Sequence, residues 1–82
     1  MRKNVEKKNY AQAFMTAFSI DEEKLGPNLK YESIQEWDSI GHMNLIAELE
    51  DSFDISMEMD DIIDFSSYKK GKEILQKYKI NL

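Results

Sequence analysis

The stretch that most restricts the fold opens with Asp38-Ser39 and runs on through Ile40, Met43, Ile46, Leu49 and Phe53, with Leu45 beside them. Apolar residues three or four apart share one face of a helix, and an Asp-Ser pair just ahead of them supplies cap chemistry. The spacing predicts a helix over 39–53. An earlier stripe, Tyr10, Phe14, Ala17 and Phe18, extends back through Val5 and predicts a first helix over 4–19. Asp21 to Leu25 leaves room for one further turn before Gly26-Pro27-Asn28, where Pro cannot continue a helix. Leu29, Tyr31, Ile34 and Trp37 then follow without a regular period. They predict a long ordered loop pinned to the core by its apolar side chains, with Trp37 half-buried. A short third helix is expected over 59–65 and a fourth over 67–79. The fourth carries Tyr68, Ile74, Leu75 and Tyr78, and Gly71 is a weak point within it, costing up to ~1 kcal/mol relative to Ala. Ile55-Ser56-Met57 alternates like a strand, but no other segment offers it a partner, so it reads as a connection. The expectation is an all-α four-helix bundle with a long loop between helices 1 and 2 and a short helix 3. Its core should contain Phe14, Phe18, Ile46, Leu49, Phe53, Ile62 and Leu75.

A chain of 82 residues provides for one core, so a single domain over 1–82 is expected. Without Cys there are no disulfides or thiolate metal sites, and helix packing must hold the domain together. No apolar run approaches membrane-spanning length and no apolar segment follows the basic N-terminus, which points to the cytoplasm and away from the membrane. Sixteen acidic residues against eleven Lys and Arg leave a net charge of −5. Nucleic acid is therefore a disfavoured partner. Eleven of the sixteen acidic residues fall between positions 32 and 64, where there is no Lys or Arg. Such a run is either an ordinary solvated helix surface or a face for a basic partner.

A nucleophile, a base and an orienting carboxylate can be written down from Ser39, His42 and Asp38. Helical spacing makes Ser39 and His42 neighbours, but it puts Asp38 beside the serine and not behind the imidazole. No Gly-rich segment supplies oxyanion donors either. His42 reads instead as an exposed residue of the first helical turn, placed to touch whatever docks there. A calcium loop begun at Asp54 fails at its sixth position, Met59 where Gly is needed, and at its twelfth, Phe65 where Glu is needed. Neither enzyme chemistry nor a metal site is expected. Ser39 remains: behind an Asp it makes an ordinary cap. An exposed hydroxyl at a helix start is also a favourable place for a phosphodiester, because free backbone N–H groups and the positive end of the helix dipole face it.

Trp37-Asp38-Ser39-Ile40, the stripe Met43, Leu45, Ile46, Leu49, and the run Glu50-Asp51-Ser52-Phe53-Asp54-Ile55 together resemble the acyl carrier protein family. The likeness continues at Met57, Ile62, Phe65, Ser67, Tyr68 and Ile74, so motif-level matches cover about half the chain, and helix order and size match the rest. The resemblance implies a bundle of the acyl-carrier type, with Ser39 as the acceptor of a covalent 4′-phosphopantetheine delivered by a phosphopantetheinyl transferase. It implies that Asp38 helps to position metal and cofactor during that transfer. It further implies a recognition surface built from Ile40, His42, Met43, Glu48, Asp51, Asp60 and Asp61, with Glu50 beside them. That surface would meet the transferase, an acyl- or aminoacyl-loading ligase, and downstream transferases or synthases, with the carrier itself a monomer. Ile40 stands where Leu is commoner, Gly41-His42 replaces acidic or small polar residues, and 31–37 lacks the usual Leu-Gly lead-in. Those departures point from housekeeping fatty-acid synthesis toward the specialised stand-alone carriers of bacterial polysaccharide or secondary-metabolite pathways. The competing expectation is an acidic, non-enzymatic helical interaction module in which Asp38-Ser39 is a plain cap.

Overall fold

In a computed structural model, which describes residues 2–80 and 82, with side chains from residue 5 onward, the helices lie close to where the apolar spacing predicts them. They are α1 (Arg2–Phe18), α2 (Ser39–Phe53), α3 (Met59–Asp64) and α4 (Tyr68–Gln76), with a single 3₁₀ turn at Glu22–Lys24. The fourth helix is shorter than expected at both ends for local reasons. Ser67 is its cap, the hydroxyl accepting from the Lys70 amide at 2.9 Å. Beyond Gln76 the chain turns, and Lys79 adopts a left-handed φ of 66°. Asp54, also left-handed, closes α2 in the same way, its amide bonded to the Glu50 carbonyl. Among the described residues there is no strand, and 55–57 connects α2 to α3 as expected.

Aromatic side chains fill the core. Phe14 lies 4.8–6.1 Å, centroid to centroid, from Tyr10, Phe18, Trp37, Phe65 and Tyr68. All but the tilted pair with Phe65 are edge-to-face, and aromatic pairs so arranged contribute ~0.5–1.5 kcal/mol each beyond their buried area. Leu45, Ile46 and Leu49 of α2, with Ile74 and Leu75 of α4, close around this cluster. Phe14, Phe18, Ile46, Leu49 and Leu75 are buried as predicted, whereas Phe53 and Ile62 are half-buried at its margin. Trp37, expected half-buried, is fully enclosed. Gly71 also differs from its sequence reading. A Cβ there would overlap the Phe65 ring and the Tyr10 hydroxyl, so the glycine is what lets α4 approach α1 and the α3–α4 connection.

The long loop is packed, not slack. Leu29 and Trp37 are buried in it, and Leu25 and Ile34 pack against the core. An isolated antiparallel bridge between Lys30 and Ser67 ties it to the start of α4. Tyr31 N–H donates to the Ser66 carbonyl at 2.8 Å, and Tyr68 N–H to the Leu29 carbonyl at 2.9 Å. The radius of gyration is 11.5 Å, matching the ~12 Å expected of a fully packed chain of this length.

Candidate functional site

The start of α2 is organised by Asp38. Its Oδ1 accepts from the Gly41 amide at 2.8 Å, and its carbonyl accepts from the His42 amide at 2.8 Å. Asp38 alone is thus the cap, and Ser39 is the first helical residue. Gly41 is required here because a Cβ would overlap the Glu36 carbonyl, which folds back over the first turn. With the cap supplied by its neighbour, the exposed Ser39 hydroxyl has no cap bond to make. Among the described residues its side-chain contact is with Tyr31 Oη, at 3.4 Å.

His42 departs from its sequence reading. It is half-buried, with Nδ1 3.0 Å from Trp37 Nε1 and Nε2 2.7 Å from the Ile62 carbonyl. An indole nitrogen only donates, so Nδ1 is the acceptor and Nε2 carries the hydrogen that reaches Ile62. The imidazole therefore braces α3 against the core tryptophan. It makes no contact of the kind a catalytic triad needs, since its two ring nitrogens are already engaged.

Beside Ser39 lies an open apolar groove of about 400 Å³. Exposed Tyr31, Met43, Met59 and Ile63 form its rim, and His42, Ile62 and Phe65 its more buried side, with Ser66 also lining it. Ile40, 75 % exposed, stands next to Ser39 outside the groove. Sequence periodicity placed Ile40 and Met43 in the same stripe as Ile46 and Leu49, but the helix turns them outward, onto the surface that the resemblance also assigns them.

The acidic residues separate into different environments. Asp51 and Asp60 are exposed and Glu48 half-buried, while Glu50 is tied down, its Oε2 accepting from the Met57 amide at 2.9 Å. Asp61 does not belong to the surface on which the sequence reading put it. It is buried, and its two oxygens accept from Lys77 Nζ and Tyr78 Oη at 2.6 Å each. Tyr78 Oη in turn accepts from the Glu58 amide at 2.9 Å, so this network clasps α3 to the end of α4. The Lys77 hydrogen bond, then that of Tyr78, holds the Asp61 carboxyl below the usual carboxylate range against the opposing effect of burial. Among the described residues no cluster of His, Asp and Glu suits a metal ion, and no helix is long and apolar enough to cross a membrane.

The features that sequence reasoning missed are the groove and Tyr31. The only signal for either was the irregular spacing of apolar residues in the loop, which does not say where their side chains end up. No family model, curated protein or solved structure matches the chain.

Proposed function

We propose that the protein is a carrier of the acyl-carrier type, holding acyl or aminoacyl groups as thioesters on a 4′-phosphopantetheine arm attached to Ser39. The observation that carries this reading is the division of labour at α2: Asp38 does the capping, and the Ser39 hydroxyl stays exposed with no structural task. A plain cap would need only Asp38. The residues present fit the group. The Ser39 and Ile40 amides lie at the positive end of α2, where a phosphodiester is favoured, and the groove beside them suits the less polar part of an arm or its cargo. The reactive thiol of the arm comes with the cofactor, which is why a chain without Cys can serve.

The exposed residues of α2 and α3 include the acidic Asp51 and Asp60 and the apolar Ile40, Met43, Met59 and Ile63. This combination suits basic partner enzymes: the transferase, a loading ligase, and enzymes that take the cargo onward. Asp61 is removed from that surface by its burial. The test is direct. Treated with a promiscuous phosphopantetheinyl transferase and coenzyme A, the protein should gain the mass of one phosphopantetheine, and Ser39→Ala should gain none. An unchanged mass in the unmodified sequence would leave the interaction-module reading in its place.

A further inference from the structure

Tyr31 is an exposed residue whose position is fixed from three directions. Its backbone amide is bonded to the Ser66 carbonyl beside the Lys30–Ser67 bridge. The turn that follows is closed by the Ser33 amide on the Lys30 carbonyl and by the Lys30 amide on Ser33 Oγ, at 2.8 and 2.9 Å. Within that turn Glu32 is held at φ 65°, a conformation that side-chain-bearing residues adopt only when their surroundings impose it, here through its amide bond to the Trp37 carbonyl. Finally, the Tyr31 ring stands edge-on to His42 at 5.8 Å and 85°, and His42 is itself fixed between Trp37 and Ile62.

The hydroxyl at the end of this support does nothing for the core. Tyr10 Oη bonds the Tyr68 carbonyl and Tyr78 Oη bonds Asp61, so those phenols tie helices together. Tyr31 Oη faces Ser39 Oγ at 3.4 Å, longer than the ~2.5–3.0 Å of an established O–H···O bond. The pair is near enough to converge on one group and too far apart to satisfy each other. We infer that Tyr31 is a positioning residue for the group on Ser39: its hydroxyl donates to an oxygen of the phosphodiester and holds the root of the arm beside the groove. This rests on the carrier reading. An anionic oxygen makes a stronger acceptor than the serine hydroxyl, so the bond forms only after modification.

The test compares the unmodified sequence with Tyr31→Phe, which keeps the ring on His42 and removes only the hydroxyl. Intact mass first establishes that both proteins take up phosphopantetheine at Ser39; no uptake by the unmodified sequence overturns the carrier reading and this inference with it. With both in the holo form, the ³¹P resonance of the phosphodiester should be displaced in Tyr31→Phe and its relaxation should report a freer phosphate. The apo forms should share one melting temperature and one amide spectrum outside the 31–39 loop. Identical ³¹P spectra on two fully modified proteins would overturn the inference while leaving the carrier reading intact. An apo Tyr31→Phe that melts lower by as much as its holo form, with the ³¹P signal unmoved, would reduce Tyr31 to a packing role and overturn it as well.

Discussion

The two sides of α2 use apolar residues in opposite ways. Toward α1 the contacts are aromatic and closed: Tyr10, Phe14, Phe18, Trp37 and Phe65 are each at most 1 % exposed. Toward solvent they are aliphatic and open, with Ile40, Met59 and Ile63 about 70 % exposed around Ser39. Stiff rings with few rotamers specify one packing, while Ile and the adaptable Met leave a surface able to accept different partners. His42 and Phe65 belong to both sides, since each lines the groove and touches the core aromatics. One half of the molecule thus supplies rigidity, and the other is built on it without adding much to stability.

That division is broken most directly from the core side. Replacing a helical Gly by Ala normally stabilises by ~1 kcal/mol. At Gly71 the new methyl would overlap Phe65 and Tyr10, both enclosed and unable to retreat. Gly71→Ala should therefore destabilise by ~1–3 kcal/mol despite its better helix propensity, a loss measurable as a lowered urea midpoint with an unchanged slope. A stabilised variant would show that the packing between α1 and α4 yields easily and that the core is not the rigid half.

Gly71 also marks the boundary of what the sequence made legible. The helices, their order and the anchored loop followed from apolar period, from the Asp38-Ser39 pair as cap chemistry, and from Gly26-Pro27 as a stop, because these signals are local. The place of Ser39 at the start of α2 was legible for the same reason. Three-dimensional neighbours were not. Period cannot distinguish a face turned to the core from one turned to a partner, so Ile40 and Met43 shared a stripe with Ile46. Charge alone cannot show that Asp61 meets Lys77 and Tyr78 from sixteen and seventeen residues away, or that Trp37 donates to His42. Tyr31 looked like one more apolar anchor because its importance lies in what it faces.

The clasp between α3 and α4 offers a smaller way to sharpen the contrast, since it positions the groove's rim without belonging to the core. Asp61 ionises more readily in the folded chain than in the unfolded one. The unfolded state therefore binds its proton first as pH falls, and the stabilisation is fully present above the ordinary carboxylate range and lost below it. Asp61→Asn should cost on the order of 1 kcal/mol near neutrality, because Lys77 loses its charged partner while one acceptor remains for Tyr78. Its stability should also fall less steeply than that of the unmodified sequence as pH drops through the acid range. Parallel curves for the two proteins would mean that Asp61 contributes nothing to that limb.

The smallest effect on stability is expected at the rim of the groove. Met59 and Ile63 are both about 70 % exposed on α3 and rim the groove. Changing both to Ser removes apolar surface that folding leaves in water, so stability should stay within ~0.5 kcal/mol of the unmodified protein. If the groove receives an arm or its cargo, the holo forms should differ: an environment-sensitive fluorophore carried on the pantetheine thiol should emit at shorter wavelength on the unmodified protein than on the double variant. Equal emission, with both folds intact, would separate the groove from the group on Ser39. A large drop in stability would instead place α3 in the rigid half, and the two sides of α2 would no longer divide structure from function.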